Sequence, residues 1–119
     1  MVALAVTPEQ EKKLEWIGVK DSKLLSREAR EELFERIREE VTDFRIEMIE
    51  PDAIDHALRD SSLNLNWLEA ETSARMISEL RPSTVIVDCP SVNIENYTHY
   101  FASRLSEGVR STIHIVMEH

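Results

Sequence analysis

The stretch Ser83–Cys89, reading S-T-V-I-V-D-C, constrains this chain more than any other. Val85, Ile86 and Val87 form a short branched apolar run that ends in an acid, Asp88. Such a run reads as a central strand, buried on both faces, that carries one carboxylate to the C-terminal edge of a sheet. In open α/β sheets that edge is where ligands bind.

The segments around it supply further strands and helices. Val2–Val6 is an apolar strand. Thr7-Pro8-Glu9-Gln10 is a helix start: Thr7 caps, Pro8 suits the first turn and Gln10 reaches back. Leu14 and Ile17 share one face of that helix, Trp16 is expected to pack at its edge, and Gly18 can end it. After a polar loop, Ser26 caps a second helix running to about Val41, with Ala29, Leu33, Ile37 and Val41 as its core-facing stripe.

Phe44, Ile46 and Met48 alternate with Arg45 and Glu47, the pattern of a half-buried strand. Pro51 opens a short helix with Ile54 and Leu58 as its apolar positions, and 59–65 is a loop. Asn66 is expected to cap the next helix, with Glu69 completing the box and Leu68, Ala70, Ala74, Ile77 and Leu80 facing the core. Arg81-Pro82 stops it. Asn93 caps a helix striped by Tyr97, Phe101 and Leu105 and ended by Gly108, and 112–117 is a final alternating strand. Helices between successive strands imply crossovers and a partly parallel sheet. The expected class is α/β, a mixed sheet flanked by helices, in one domain over residues 1–119.

Composition removes several function classes. The formal charge of -9 disfavours a broad basic nucleic-acid face, although a local site with metal ions remains compatible with it. Cys89 is the single cysteine, so no internal disulfide can form and a reducing compartment is the default. No run spans a bilayer, and the N-terminal residues lack the basic region of a signal peptide. The expectation is a cytoplasmic chain with no membrane partner.

Few residues can carry chemistry. Asp88, closing a buried strand, would give a divalent cation a hard oxygen at a fixed position; the plainer reading is a loop acid or a capping group. Lys20, Asp21, Ser22 and Lys23 cluster before a helix start and could hold phosphate, or form an ordinary loop in which Asp21 makes an Asx-turn. Cys89 reads as filling rather than as a nucleophile. Glu118 and His119 end the last strand, while His56, His99 and His114 lack metal-ligand spacing.

Taken together, G-V-K-D-S-K-L-L at Gly18–Leu25, N-L-N-W-L-E-A at Asn64–Ala70, I-V-D-C at Ile86–Cys89 and V-M-E-H at Val116–His119 resemble archaeal ribonuclease HII in order and spacing. The resemblance implies an RNase H-like fold and hydrolysis of RNA in RNA/DNA hybrids, including 5′ incision at single ribonucleotides in duplex DNA. It implies Mg²⁺ or Mn²⁺ held by four acids, of which Asp88 matches the third. It places Lys20, Ser22 and Lys23 beside the duplex backbone, with Asn66 as a further substrate-binding position.

The D-E-A-G-R-G motif that carries the family's first two acids is missing from this sequence, as are the K-A-D motif that carries the fourth and the C-terminal region. The resemblance therefore implies a partial RNase H-like domain with one of four metal-binding acids, inactive alone, binding no metal tightly and able to self-associate through open sheet edges. The alternative is a non-catalytic interaction or nucleic-acid-binding module on the same fold.

Overall fold

Residue Val85 of one strand pairs with Ile115 of another, and this parallel register runs from Thr84↔His114 to Asp88↔Glu118. A computed structural model of the chain describes residues 1–59 and 64–118 and builds two compact units, one comprising Met1–Ala3 with Arg45–His119, the other Leu4–Phe44. The elements are β1 (Val2–Ala5), α1 (Pro8–Trp16), a 3-10 turn (Ser22–Leu24), α2 (Arg27–Glu40), β2 (Asp43–Ile46), α3 (Pro51–Arg59), α4 (Leu65–Leu80), β3 (Thr84–Asp88), α5 (Ile94–Arg104), α6 (Glu107–Arg110) and β4 (His114–Glu118). The class is the expected α/β, with helices beside a β1–β2 sheet and a β3–β4 sheet.

In the larger unit the core lies between the β3–β4 sheet and two helices. Ala70, Ala74 and Ile77 of α4 meet Tyr97, Phe101 and Leu105 around α5, with Val85 and Val87 from β3. Small residues on α4 let α5 approach closely, so Phe101 and Tyr97 are the largest fully buried side chains, at 0% and 1% exposure. Burial of each such side chain stabilises by roughly 1.5–3 kcal/mol. Ile113, Ile115 and Met117 close this layer from the other strand. An aromatic stack fixes the helix pair: Trp67 lies 4.4 Å from Tyr100, whose hydroxyl donates to Glu71 Oε1 at 2.6 Å while Arg104 covers its ring at 4.9 Å.

Local signals place the helix ends. Thr7 and Gln10 form the full capping box, Ser26 Oγ accepts from the Ala29 amide and Asn93 Oδ1 from the Asn96 amide. Gly18 takes φ +94°, the left-handed value that lets the chain leave α1. In the smaller unit Lys13–Glu40 at 3.0 Å ties α1 to α2, and Thr42 Oγ1, just past the end of α2, donates to Gln10 Oε1 of α1.

The structure corrects six expectations. First, β3 is not buried on both faces: Val85 and Val87 face the helices but Ile86 is 58% exposed, because among the described residues only one face of this sheet carries helices. Second, of the apolar set expected on the strand at 44–48 only Phe44 is half-buried; Ile46 is exposed, and Met48 lies beyond the end of β2. Arg45 reaches Glu79 and Glu47, just past the strand, reaches Arg75, each at 2.9 Å, so these charged residues are half-buried as well and Met48 is 85% exposed. Third, α4 begins two residues earlier than expected. Asn64 Oδ1 accepts from the Trp67 amide at 3.0 Å, which makes Asn64 the cap and leaves Asn66 inside the first turn.

Fourth, Gly108 does not end α5, which stops at Arg104; it lies within the separate short helix α6. Fifth, Ala57 rather than Ile54 or Leu58 is the buried residue of α3. Sixth, Trp16 packs against little and stands in solvent. Residues 60–63, in the expected loop, and His119 lie outside the described residues.

Candidate functional site

The C-terminal ends of β3 and β4 bring two acids to one place. Strand alternation sends Val85 and Val87 into the core and Asp88 to the opposite, exposed face. Parallel register pairs Asp88 with Glu118, so the two carboxylates leave neighbouring strand ends on the same face, at the usual strand spacing of about 4.8 Å. The ladder continues one residue further, as the Cys89 amide donates to the Glu118 carbonyl at 2.7 Å.

Beyond it the chain turns into α5. The Cys89 thiol is buried and donates to the Ser91 carbonyl at 3.4 Å, a packing role rather than a nucleophile's. Ser91 Oγ accepts from the Asn93 amide and Asn93 caps the helix, so Asp88 is not needed as a cap. Asp88 and Glu118 are in no ion pair or side-chain hydrogen bond with the described residues.

The charge of Asp88 is nonetheless felt. The Tyr97 phenol is pushed up to about 12, first by burial, then by the negative fields of Glu69, Cys89 and Asp88. Glu69, expected as part of a capping box, thus acts on Tyr97 in the same direction as Asp88. Among the described residues no group of three His, Cys, Asp or Glu side chains is arranged to hold a metal ion. Two carboxylates supply only part of the oxygen sphere that Mg²⁺ or Mn²⁺ demands, so the residues present do not make a complete metal site.

The second candidate lies in the smaller unit. The Asp21 carboxylate accepts from the Lys23 amide at 3.0 Å, the Asx-turn geometry, and the 3-10 turn follows. Arg30 staples the turn by donating to the Ser22 and Leu25 carbonyls at 3.5 and 3.2 Å. Lys20, Ser22 and Lys23 are therefore presented together on one braced, exposed turn. Neither lysine makes an ion pair with the described residues. Asn66 is half-buried in α4 and belongs to the larger unit, with Asp88.

A family model of ribonuclease HII matches residues 1–119. The chain belongs to the ribonuclease HII family. Ribonuclease HII of Thermococcus sibiricus is 36% identical over 108 residues, covering 89% of this chain and 46% of that protein. The Pyrococcus abyssi protein is 31% identical over 121 residues, covering 100% of this chain and 50% of its own length.

Among solved structures, the complex of PCNA with RNase HII from Archaeoglobus fulgidus superposes with a TM-score of 0.75 at 30% identity, over 99% of this chain and 52% of that one. Ribonuclease H2 of Pyrococcus horikoshii gives 0.78 at 25% identity, over 96% and 51%. The fold is thus that of ribonuclease HII, and the chain spans about half the length of the relatives it matches. No helix among the described residues is long and apolar enough to cross a membrane.

Proposed function

We propose that this chain carries one corner of the catalytic surface of an endoribonuclease acting on RNA in RNA/DNA hybrids, including single ribonucleotides in duplex DNA. The observation that carries the reading is the placement of Asp88: exposed, unpaired among the described residues, at the C-terminal end of β3 and in register with Glu118. In this role Asp88 is a ligand to Mg²⁺ or Mn²⁺, with Glu118 beside it. Lys20, Ser22 and Lys23 contact the phosphate backbone, and Asn66 lies toward the substrate.

The same donor count argues that the 119-residue chain alone is inactive. One or two carboxylates leave most of a hard cation's ligand positions to water and substrate phosphate, so affinity is weak and no metal is retained on purification. A cleavage assay with Mg²⁺ or Mn²⁺ on a duplex bearing one ribonucleotide should show no turnover above background. Robust turnover lost on Asp88→Asn would overturn the inactivity and keep the role of Asp88. Independently, Mn²⁺ titration at millimolar concentration should broaden the amide signals near Asp88 and Glu118 first. Identical broadening in Asp88→Asn would remove Asp88 as a ligand.

A second reading, a non-catalytic interaction module that self-associates through open sheet edges, draws on a specific observation. Ile46 and Ile86 are apolar strand-face residues left in water, and Met48, just beyond β2, is exposed beside them in sequence. Sedimentation over a wide concentration range should then show reversible dimers, and a monomer throughout would count against it.

A further inference from the structure

Trp16 is 84% exposed at the last position of α1. A tryptophan that packs on nothing is unusual, since its large ring is mostly buried in folded chains. Several lysines lie close to it in sequence. Lys12 lies one turn earlier on the same helix face, and the turn bearing Lys20 and Lys23 follows at once. Residues 12–23 hold four lysines against Glu15 and Asp21, in a chain whose net charge is -9. Of the four, Lys13 is paired with Glu40, and the Asp21 carboxylate is engaged by the Lys23 amide. Lys12, Lys20 and Lys23 make no ion pair with the described residues. Leu24, next to Lys23, is exposed as well. Exposed aromatic surface interleaved with free ammonium groups suits a strand that offers both a π-face and phosphates.

We infer that Trp16 stacks on an unpaired base of a nucleic-acid strand whose phosphates are held by Lys12, Lys20 and Lys23. The inference rests on the nucleic-acid reading of the Lys20–Lys23 turn and adds a contact that is indifferent to sequence, because every base has a face to stack on. Positive charge supplies attraction and the ring supplies an anchor that salt does not screen. All the groups involved belong to the smaller unit.

Tryptophan fluorescence reads this directly. The chain has two tryptophans, and Trp67 is stacked on Tyr100, so a Trp16→Phe variant supplies the background signal. Probes are an RNA/DNA hybrid with a short single-stranded overhang and the same hybrid blunt-ended, at low salt. The expected result is saturable quenching with the overhang, absent from the Trp16→Phe background and much reduced with the blunt probe.

Trp16→Ala should weaken overhang binding by about five- to a hundredfold, with Trp16→Tyr restoring most of it. The side chain is exposed, so an unchanged melting curve accompanies the loss. Lys20→Ala with Lys23→Ala should lower the salt dependence by about two phosphate contacts. Weakening by the lysine changes but not by Trp16→Ala would overturn stacking and keep the nucleic-acid reading. No binding of either probe would overturn both. Quenching that appears on concentrating the protein without nucleic acid would reassign Trp16 to self-association and overturn the inference.

Discussion

The two units are built on different physics. The larger one is organised by burial: Ala70, Ala74, Tyr97 and Phe101 are almost entirely sealed from water around β3. The smaller one, Leu4–Phe44, has no fully buried side chain at all. Its helices meet through the half-buried stripe Ala29, Leu33 and Ile37, and are otherwise held by caps, the Lys13–Glu40 ion pair and the Gln10 hydrogen-bond relay. Burial is cooperative and insensitive to salt, whereas exposed ion pairs contribute roughly 0–1 kcal/mol each and are screened. The acid corner at Asp88 therefore rests on a stiff support, while the lysine turn and Trp16 sit on a soft one. A catalytic carboxylate needs a fixed position; a contact that follows a flexible backbone does not.

The sharpest way to break this contrast is a cavity in each unit. Phe101→Ala removes a fully buried ring and should cost about 3–5 kcal/mol, enough to unfold a marginal domain. Leu33→Ala removes a half-buried side chain and should cost about 1–2 kcal/mol. Denaturant melts of the two variants measure both. Equal losses would mean that the smaller unit is as tightly built as the larger, contrary to its exposure. Amide hydrogen exchange gives the same comparison without mutation: α4, α5 and β3 should be protected longer than α1 and α2.

A pH scan sharpens the larger unit further. Burial, with the fields of Glu69, Cys89 and Asp88, holds the Tyr97 phenol at about 12 against an ordinary value of 10.0. The folded state keeps its proton while the unfolded state gives it up, so this contribution is fully present below pH 10 and is lost as pH climbs toward 12. Tyr97→Phe should flatten that part of the stability curve, read by thermal melts between pH 9 and 11.5. An unchanged slope would mean that Tyr97 is not the group responsible. Nothing in the smaller unit should contribute an equivalent step from tyrosine, since residues 4–44 contain none.

What the sequence made legible follows the range of the forces involved. Caps at Thr7, Ser26 and Asn93 involve neighbours three residues away, and the Tyr97–Phe101–Leu105 stripe is a helical period; both were readable. The strand-end position of Asp88 was readable for the same reason. Which face of a strand is covered is not local. Alternation at 44–48 defines two faces, but Arg45 and Glu47 turn inward only because α4 supplies Glu79 and Arg75, far along the chain. Ile86 looked central because its neighbours are branched and apolar, yet the described residues cover one side alone. The pairing of Asp88 with Glu118 likewise required the strand register, which no short motif encodes.

The smallest expected effects lie at the helix caps, where the two units can be compared with the same chemistry. N-L-N-W offers two asparagines as the start of α4, and the structure uses Asn64, whose side chain accepts from the Trp67 amide. Asn64→Ala should therefore cost about 1 kcal/mol, within a range of roughly 0.5–2, while Asn66→Ala, inside the first turn, should cost much less. Ser26→Ala removes the equivalent bond to the Ala29 amide in the smaller unit. Where burial dominates, loss of a cap frays one end and leaves the helix docked. Where little is buried, the cap is a larger share of what holds the helix. Exchange rates along α2 should accordingly rise throughout the helix in Ser26→Ala, but only in the first turn of α4 in Asn64→Ala. Fraying confined to the first turn in both would show that half-buried stripes suffice to hold α2, and the contrast between the units would shrink to one of exposure without a difference in local stability.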